Sequence, residues 1–201
     1  MLAMILAGGM GNRLGMGEKP LVRIADQPMV SCVVNAFLES GFETLVITSP
    51  FTPLTMNWCR ANGIGYMLTS GTGYVEDIME AVEELGEDGC VFTCVADLPL
   101  ITPEIIGKIA AAHGSNGLPA CSVWVPEGIC MECGCRPGYM ETIRGVRAAP
   151  AGVNIIRASL FSSGREQEEY RLLLEEKRLC FNINTPDELK AAENFLSRTL
   201  S

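Results

Sequence analysis

The pattern of apolar and polar positions switches repeatedly between two periods. Residues 2–7 and 90–95 are short, nearly continuous apolar runs, the signature of strands buried on both faces. Residues 28–40 place Val30, Val33, Val34, Phe37 and Leu38 on one helical stripe, with Gly41 as the stop. Leu45-Val46-Ile47 reads as a strand, 53–62 as a helix ending at Gly63, and 64–69 as a further strand. Residues 75–85 turn Ile78, Val82 and Leu85 inward and several glutamates outward. Thr102-Pro103 opens a helix as N-cap and first helical residue. Residues 120–125 and 152–157 read as strands, 166–177 as a charged surface helix, and 179–183 as a last short strand. Thr185-Pro186-Asp187-Glu188 is a capping box with proline at its first helical position. Such alternation predicts an α/β sandwich with a mostly parallel sheet, and 201 residues fit a single domain, 1–201. Ligands of such sheets lie beyond the carboxyl ends of the strands.

The first strand feeds Gly8-Gly9-Met10-Gly11-Asn12-Arg13-Leu14-Gly15-Met16-Gly17-Glu18-Lys19-Pro20-Leu21, in which five glycines fall within residues 8–17. Glycine lets backbone amides approach a ligand closely, and successive N–H groups form an anion cradle. Arg13 adds a planar cationic fork and Lys19 a point charge, the pair that a triphosphate needs. Spacing rules out two common loops. Leu14 stands where the dinucleotide fingerprint requires glycine, and Lys19 precedes Pro20 rather than Ser or Thr, against a P-loop.

Three further segments carry chemistry. Cys94-Val95-Ala96-Asp97-Leu98-Pro99-Leu100-Ile101 sets a carboxylate where an apolar strand ends. Thr69-Ser70-Gly71-Thr72-Gly73-Tyr74 is a second glycine turn, read equally well as a helix entry. Phe181-Asn182-Ile183-Asn184-Thr185-Pro186 puts two amides on one face by alternation.

Taken together, A-G-G-x-G-x-R, the later K-P, D-x-P-L-I and N-x-N-T-P resemble the sugar-nucleotide and cofactor nucleotidyltransferases. Ala149-Pro150-Ala151-Gly152-Val153-Asn154-Ile155-Ile156 and Gly71-x-Gly73-Tyr74-x-Glu76-Asp77 narrow this to a resemblance to the archaeal adenosylcobinamide-phosphate guanylyltransferases, from Leu6 to about Leu196. The resemblance implies a Rossmann-like three-layer nucleotidyltransferase fold. It implies transfer of GMP from GTP to adenosylcobinamide phosphate, giving adenosylcobinamide-GDP and pyrophosphate, with Mg²⁺ as cofactor. On that reading Arg13, Lys19 and Asp97 are catalytic. The nucleotide is bound by Leu6, Ala7, Gly8, Gly9, Gly11, Arg13, Lys19, Ser70, Gly71, Thr72, Gly73 and Asp97. Gly152, Asn154, Asn182 and Asn184 face the acceptor, and Asp97 with Asn184 holds the metal. Molybdenum cofactor guanylyltransferases share the glycine loop, but their usual aspartate before the lysine is here Glu18. A regulatory module that binds nucleotide without turnover is the alternative of another class; retention of Arg13, Lys19 and Asp97 together argues against it.

Composition limits the partners. A net charge of −9 and a pI of about 4.7 disfavour nucleic acid and anionic membranes. No apolar run reaches the ~20 residues of a membrane span, and the start of the chain has no basic leader, so the expected location is the cytoplasm. Ten methionines and nine cysteines leave room for an apolar homodimer face. Cys32, Cys59, Cys90, Cys94 and Cys180 read as small core hydrophobes. Cys130-x-x-Cys133-x-Cys135, with Cys121 as a fourth thiol, has the ligand count of a zinc site without its second Cys pair, so reduced thiols are expected. The segment 126–148 that carries them is expected to be a lid or acceptor-binding insertion, with Trp124, Met131, Tyr139 and Met140 as apolar contacts. His113, before Gly114, is expected to complement a helix C-terminus rather than act as a base.

Overall fold

The structure, a computed structural model, describes residues 1–9, 11 and 14–199. Its strands are β1 Leu2–Leu6, β2 Arg23–Ile24, β3 Gln27–Pro28, β4 Glu43–Thr48, β5 Gly65–Leu68, β6 Cys90–Val95, β7 Ala120–Pro126, β8 Glu141–Ile143, β9 Val146–Arg157 and β10 Glu169–Leu173. Its helices are α1 Met29–Glu39, α2 Pro53–Ala61, α3 Tyr74–Leu85, α4 Pro103–Asn116, α5 Glu127–Glu132, α6 Ala158–Ser162 and α7 Pro186–Thr199. The main sheet has eight strands in the order β10-β7-β9-β6-β1-β4-β5, with β8 paired to β9. Pairings among β5, β4, β1 and β6, and of β10 with β7, are parallel; β9 runs antiparallel to β6, β7 and β8.

Alternation along β1 explains why the sheet is covered on both sides. Ala3 and Ile5 enter the larger core with Val30, Val33, Phe37 and Ile105, contributed by α1 and α4. Met4 enters the smaller one with Ile78, Val82 and Ala158, contributed by α3 and α6. Three layers result, and the ends of β1, β4, β5 and β6 open on a common edge.

Two expected elements differ. The charged stretch 166–177 forms edge strand β10, not a helix. Tyr170, Leu172 and Leu174 pack on the core with period two, while Arg171 on the outer face pairs with Glu169 (2.6 Å) and Glu141 (2.8 Å). The helix-favouring charged residues are those that blunt a sheet edge. Residues 179–183 do not form a strand. A 3₁₀ turn, Lys177–Cys180, leads into extended chain tied to the sheet end by Ile183 N–H donating to the Asp97 carbonyl (2.9 Å). Two smaller expectations also shift. Pro103 opens α4, but the buried Thr102 hydroxyl makes no capping bond. His113 lies in the last turn of α4, which stops at Gly117 rather than Gly114.

Candidate active site

A cleft of about 430 Å³ lies at the carboxyl edge of the sheet. The end of β1 and the glycine loop supply Leu6, Ala7, Gly8, Gly9, Gly11 and Lys19; the 71–73 turn supplies Gly71, Thr72 and Gly73; Asp97 and Asn184 complete it. Gly11, at φ +60°, passes so close to Lys19 that an added Cβ would lie 2.7 Å from the lysine Cβ. The loop therefore folds back on its own lysine, which no residue with a side chain at 11 permits. Arg13 lies outside the described residues.

Lys19 is the centre of the site. Its ammonium contacts the Asp97 carboxylate and donates to Asn184 Oδ1 at 2.7 Å. The Asn182 side-chain amide lies against the same carboxylate, 3.1 Å from Asp97 Oδ1 in the orientation that lets its nitrogen donate. Phe181 and Ile183 are buried, so alternation directs both amides at the carboxylate without any strand pairing. Burial raises the Asp97 pKa above the usual carboxylate range, and the Lys19 charge opposes that rise. The oxygens of Asp97 and Asn184 thus converge on one cation, the ammonium itself. A carboxylate with an amide oxygen is a hard donor set that suits Mg²⁺, whose other positions phosphates and waters fill. Among the described residues no group of three or more His, Cys, Asp or Glu forms a metal site without such help.

Several parts of the site lack an obvious sequence signal. Glu18, beside Lys19, accepts from the amides of Leu54 (2.7 Å) and Thr55 (2.6 Å) and from the Thr55 hydroxyl (2.7 Å). It clamps the loop onto the N-terminus of α2, where a negative charge is favoured. Ser49 donates to the Gly8 carbonyl (2.6 Å), and buried Asp77 accepts from Gly71 N–H (2.9 Å), so the two glycine turns are tied from below. Phe51, Tyr74 and Asp77 line the cleft. Phe51 follows β4 at the same carboxyl edge, which is the one signal that could have marked it.

Other expected residues stand elsewhere. Ser70 is outside the cleft lining; its amide and hydroxyl bond Glu80 (2.8 and 2.7 Å), which lowers the glutamate pKa. Gly152, at φ +77°, packs against Val95 and Asn182. Asn154 lines neither this cleft nor the cavity on the other side of Asn184; it donates to the hydroxyl of Tyr74 (3.2 Å), itself a cleft residue, which pairs with Thr93 (3.2 Å).

A second cavity, of about 330 Å³, opens on the other side of Asn184 and is lined by Arg136, Tyr139, Pro150, Asn182 and neighbours from α5 and the 177–180 turn. Of the expected apolar contacts Trp124, Met131, Tyr139 and Met140, Tyr139 alone lines it. Trp124 is buried with Ile143 and Ala148, its indole N–H on Ser122 (2.8 Å). Cys121 is buried in β7, and the thiol that meets Cys130 and Cys133 is Cys180.

The profile of the MobA-like NTP transferase domain matches residues 3–168. The chain belongs to the MobA-like NTP transferase family. An adenosylcobinamide-phosphate guanylyltransferase of Methanocaldococcus jannaschii is 31% identical, over 98% of this chain and 97% of the relative. Among solved structures, CMP:2-keto-3-deoxy-manno-octonic acid synthetase in complex with CTP superposes with a TM-score of 0.72 at 14% identity, covering 98% of each chain. Molybdopterin-guanine dinucleotide biosynthesis protein A from Archaeoglobus fulgidus superposes with a TM-score of 0.68 at 20% identity, covering 98% of this chain and 100% of its own. These two share the fold. The chain is thus an enzyme of the nucleotidyltransferase class, and its MobA-like core has the glycine loop, Lys19 and Asp97 around one cleft. Among the described residues no helix is long and apolar enough to cross a membrane.

Proposed function

We propose that this enzyme transfers GMP from GTP to adenosylcobinamide phosphate, releasing pyrophosphate and forming adenosylcobinamide-GDP. The observation that carries the reading is the near full-length match to the Methanocaldococcus relative of that name. The geometry supports it: two cavities meet at Asn184, beside Lys19 and Asp97, so donor and acceptor can approach one point from two sides.

The loop amides and Lys19 bind the phosphates of GTP, with Arg13 as a second cation. Asp97 and Asn184 would hold Mg²⁺, which would supply charge neutralisation to the phosphates. Gly71, Thr72 and Gly73 flank the nucleoside, and the second cavity takes the corrinoid, with Arg136 and Tyr139 on its wall. The acceptor is a phosphomonoester, already largely anionic at about pH 7. No general base is required, in keeping with a chain that has one histidine, placed in α4 far along the sequence from the loop. Rate comes from positioning and charge stabilisation.

Pyrophosphate release from GTP, with ATP, CTP and UTP as controls, tests the reading. Release that needs both GTP and the corrinoid supports it. Release with a molybdopterin acceptor, and none with the corrinoid, overturns it in favour of the molybdenum cofactor reaction.

A further inference from the structure

Two thiols from separate elements meet on the wall of the second cavity. Cys130 lies in α5 and Cys180 ends the 3₁₀ turn, and both border the same space as Asn182 and Asn184. The Cys180 thiol faces the thiols of Cys130 and Cys133, and α5 packs against the turn that carries it. The neighbouring Cys180 thiol holds Cys130 below the usual thiol range, while Cys130 and burial together hold Cys180 above it. That is the arrangement of an attacking and a resolving thiol. Nucleotidyl transfer makes no use of either sulfur.

We propose that Cys130 and Cys180 are a redox pair whose reversible disulfide pins α5 to the segment bearing Asn182 and Asn184, restricting the acceptor side of the site. The oxidant is a small-molecule disulfide. The Cys130 thiolate attacks one of its sulfurs and expels a thiolate, giving a mixed disulfide. Cys180 then gives up its proton and attacks the Cys130 sulfur, expelling the second thiolate. Two electrons pass from the protein thiols to the oxidant, and a dithiol reverses the step. Only the consequence for the acceptor rests on the function proposed above; bond formation does not.

The test incubates the full chain with glutathione disulfide, alkylates the remaining thiols and maps the peptides by mass spectrometry. Seven of the nine cysteines should then be alkylated, with Cys130 joined to Cys180. Dithiothreitol should restore all nine. Cys133→Ser should still form the bond, and Cys180→Ser, which lacks the resolving thiol, should carry glutathione on Cys130 with no crosslink to another cysteine. Amide exchange over residues 180–185 should slow several-fold on oxidation, and KM for the acceptor should rise several-fold with KM for GTP unchanged. Nine alkylated thiols, a different pair, stoichiometric zinc that shields the sulfurs, or unaltered exchange over 180–185 would overturn the proposal. A failed corrinoid assay in both redox states counts against the function instead, since the peptide map and the exchange data decide the pair.

Discussion

Replacing Glu18 with alanine removes the clamp between the glycine loop and α2, and the size of the loss follows from what each partner is left with. The Leu54 amide belongs to an exposed residue, so water takes over there. Thr55 is fully buried, and both its amide and its hydroxyl lose their acceptor. A hydrogen bond to a charged group contributes about 1.5–3 kcal/mol, and a carboxylate at a helix N-terminus about 0.3–1. The bonds share one carboxylate and do not add in full, so about 2–3 kcal/mol is expected for Glu18→Ala. For a chain of this length that lowers Tm by roughly 4–12 °C. Glu18→Gln keeps one acceptor oxygen without the charge and should lose about half as much. Urea unfolding, read by tryptophan fluorescence, gives the shift in midpoint at constant slope. An alanine variant within ~0.5 kcal/mol of the parent would refute the clamp, because that is the scatter of ordinary surface substitutions. Because Lys19 is the next residue, turnover should fall in both variants by more than nucleotide affinity does.

Three other outcomes are expected. Lys19→Ala should lose about 10²–10³ in kcat, the usual effect of removing one group that stabilises developing charge, while nucleotide affinity, measured by calorimetry, falls much less. Gly152→Ala forces a side chain into a left-handed conformation with its Cβ 2.7 Å from Val95 and 3.3 Å from the Asn182 amide. It should cost ~1–3 kcal/mol in a denaturation series, and reduce turnover by moving Asn182. Burial pushes Cys59 and Cys121 up to about 11 and Cys135 up to about 12. Unfolded thiols ionise near ~8.5, so the unfolded state sheds protons that the native state keeps, and stability is lost as pH rises from there through the native values. The urea midpoint in the presence of reductant should fall between about pH 8.5 and 10, less steeply in Cys121→Ala; a midpoint with the same slope in both would contradict the assignment.

What the sequence reveals depends on how local the cause is. β1 and β6 are legible because a strand buried on both faces needs an unbroken apolar run. The cap of α7 is legible because its partners lie within four residues: Glu188 accepts from Asn184 and Thr185 N–H, and Thr185 Oγ1 accepts from Glu188 N–H. β10 is hidden because its charged residues favour helix locally, and only pairing with β7 makes it a strand. The glycine loop and Asp97 announce themselves by residue type at strand ends. The tethers made by Glu18 and Asp77 do not, since each acquires its role from a partner that the fold alone brings near.

The most direct measurement follows the α-phosphorus. GTP labelled at that position is mixed with adenosylcobinamide phosphate, Mg²⁺ and enzyme, and the products are separated. The account predicts label on the corrinoid, in step with release of unlabelled pyrophosphate, and neither from Lys19→Ala. Label that stays on guanosine phosphates, or that in a parallel reaction moves to added molybdopterin while the corrinoid is left bare, would contradict it.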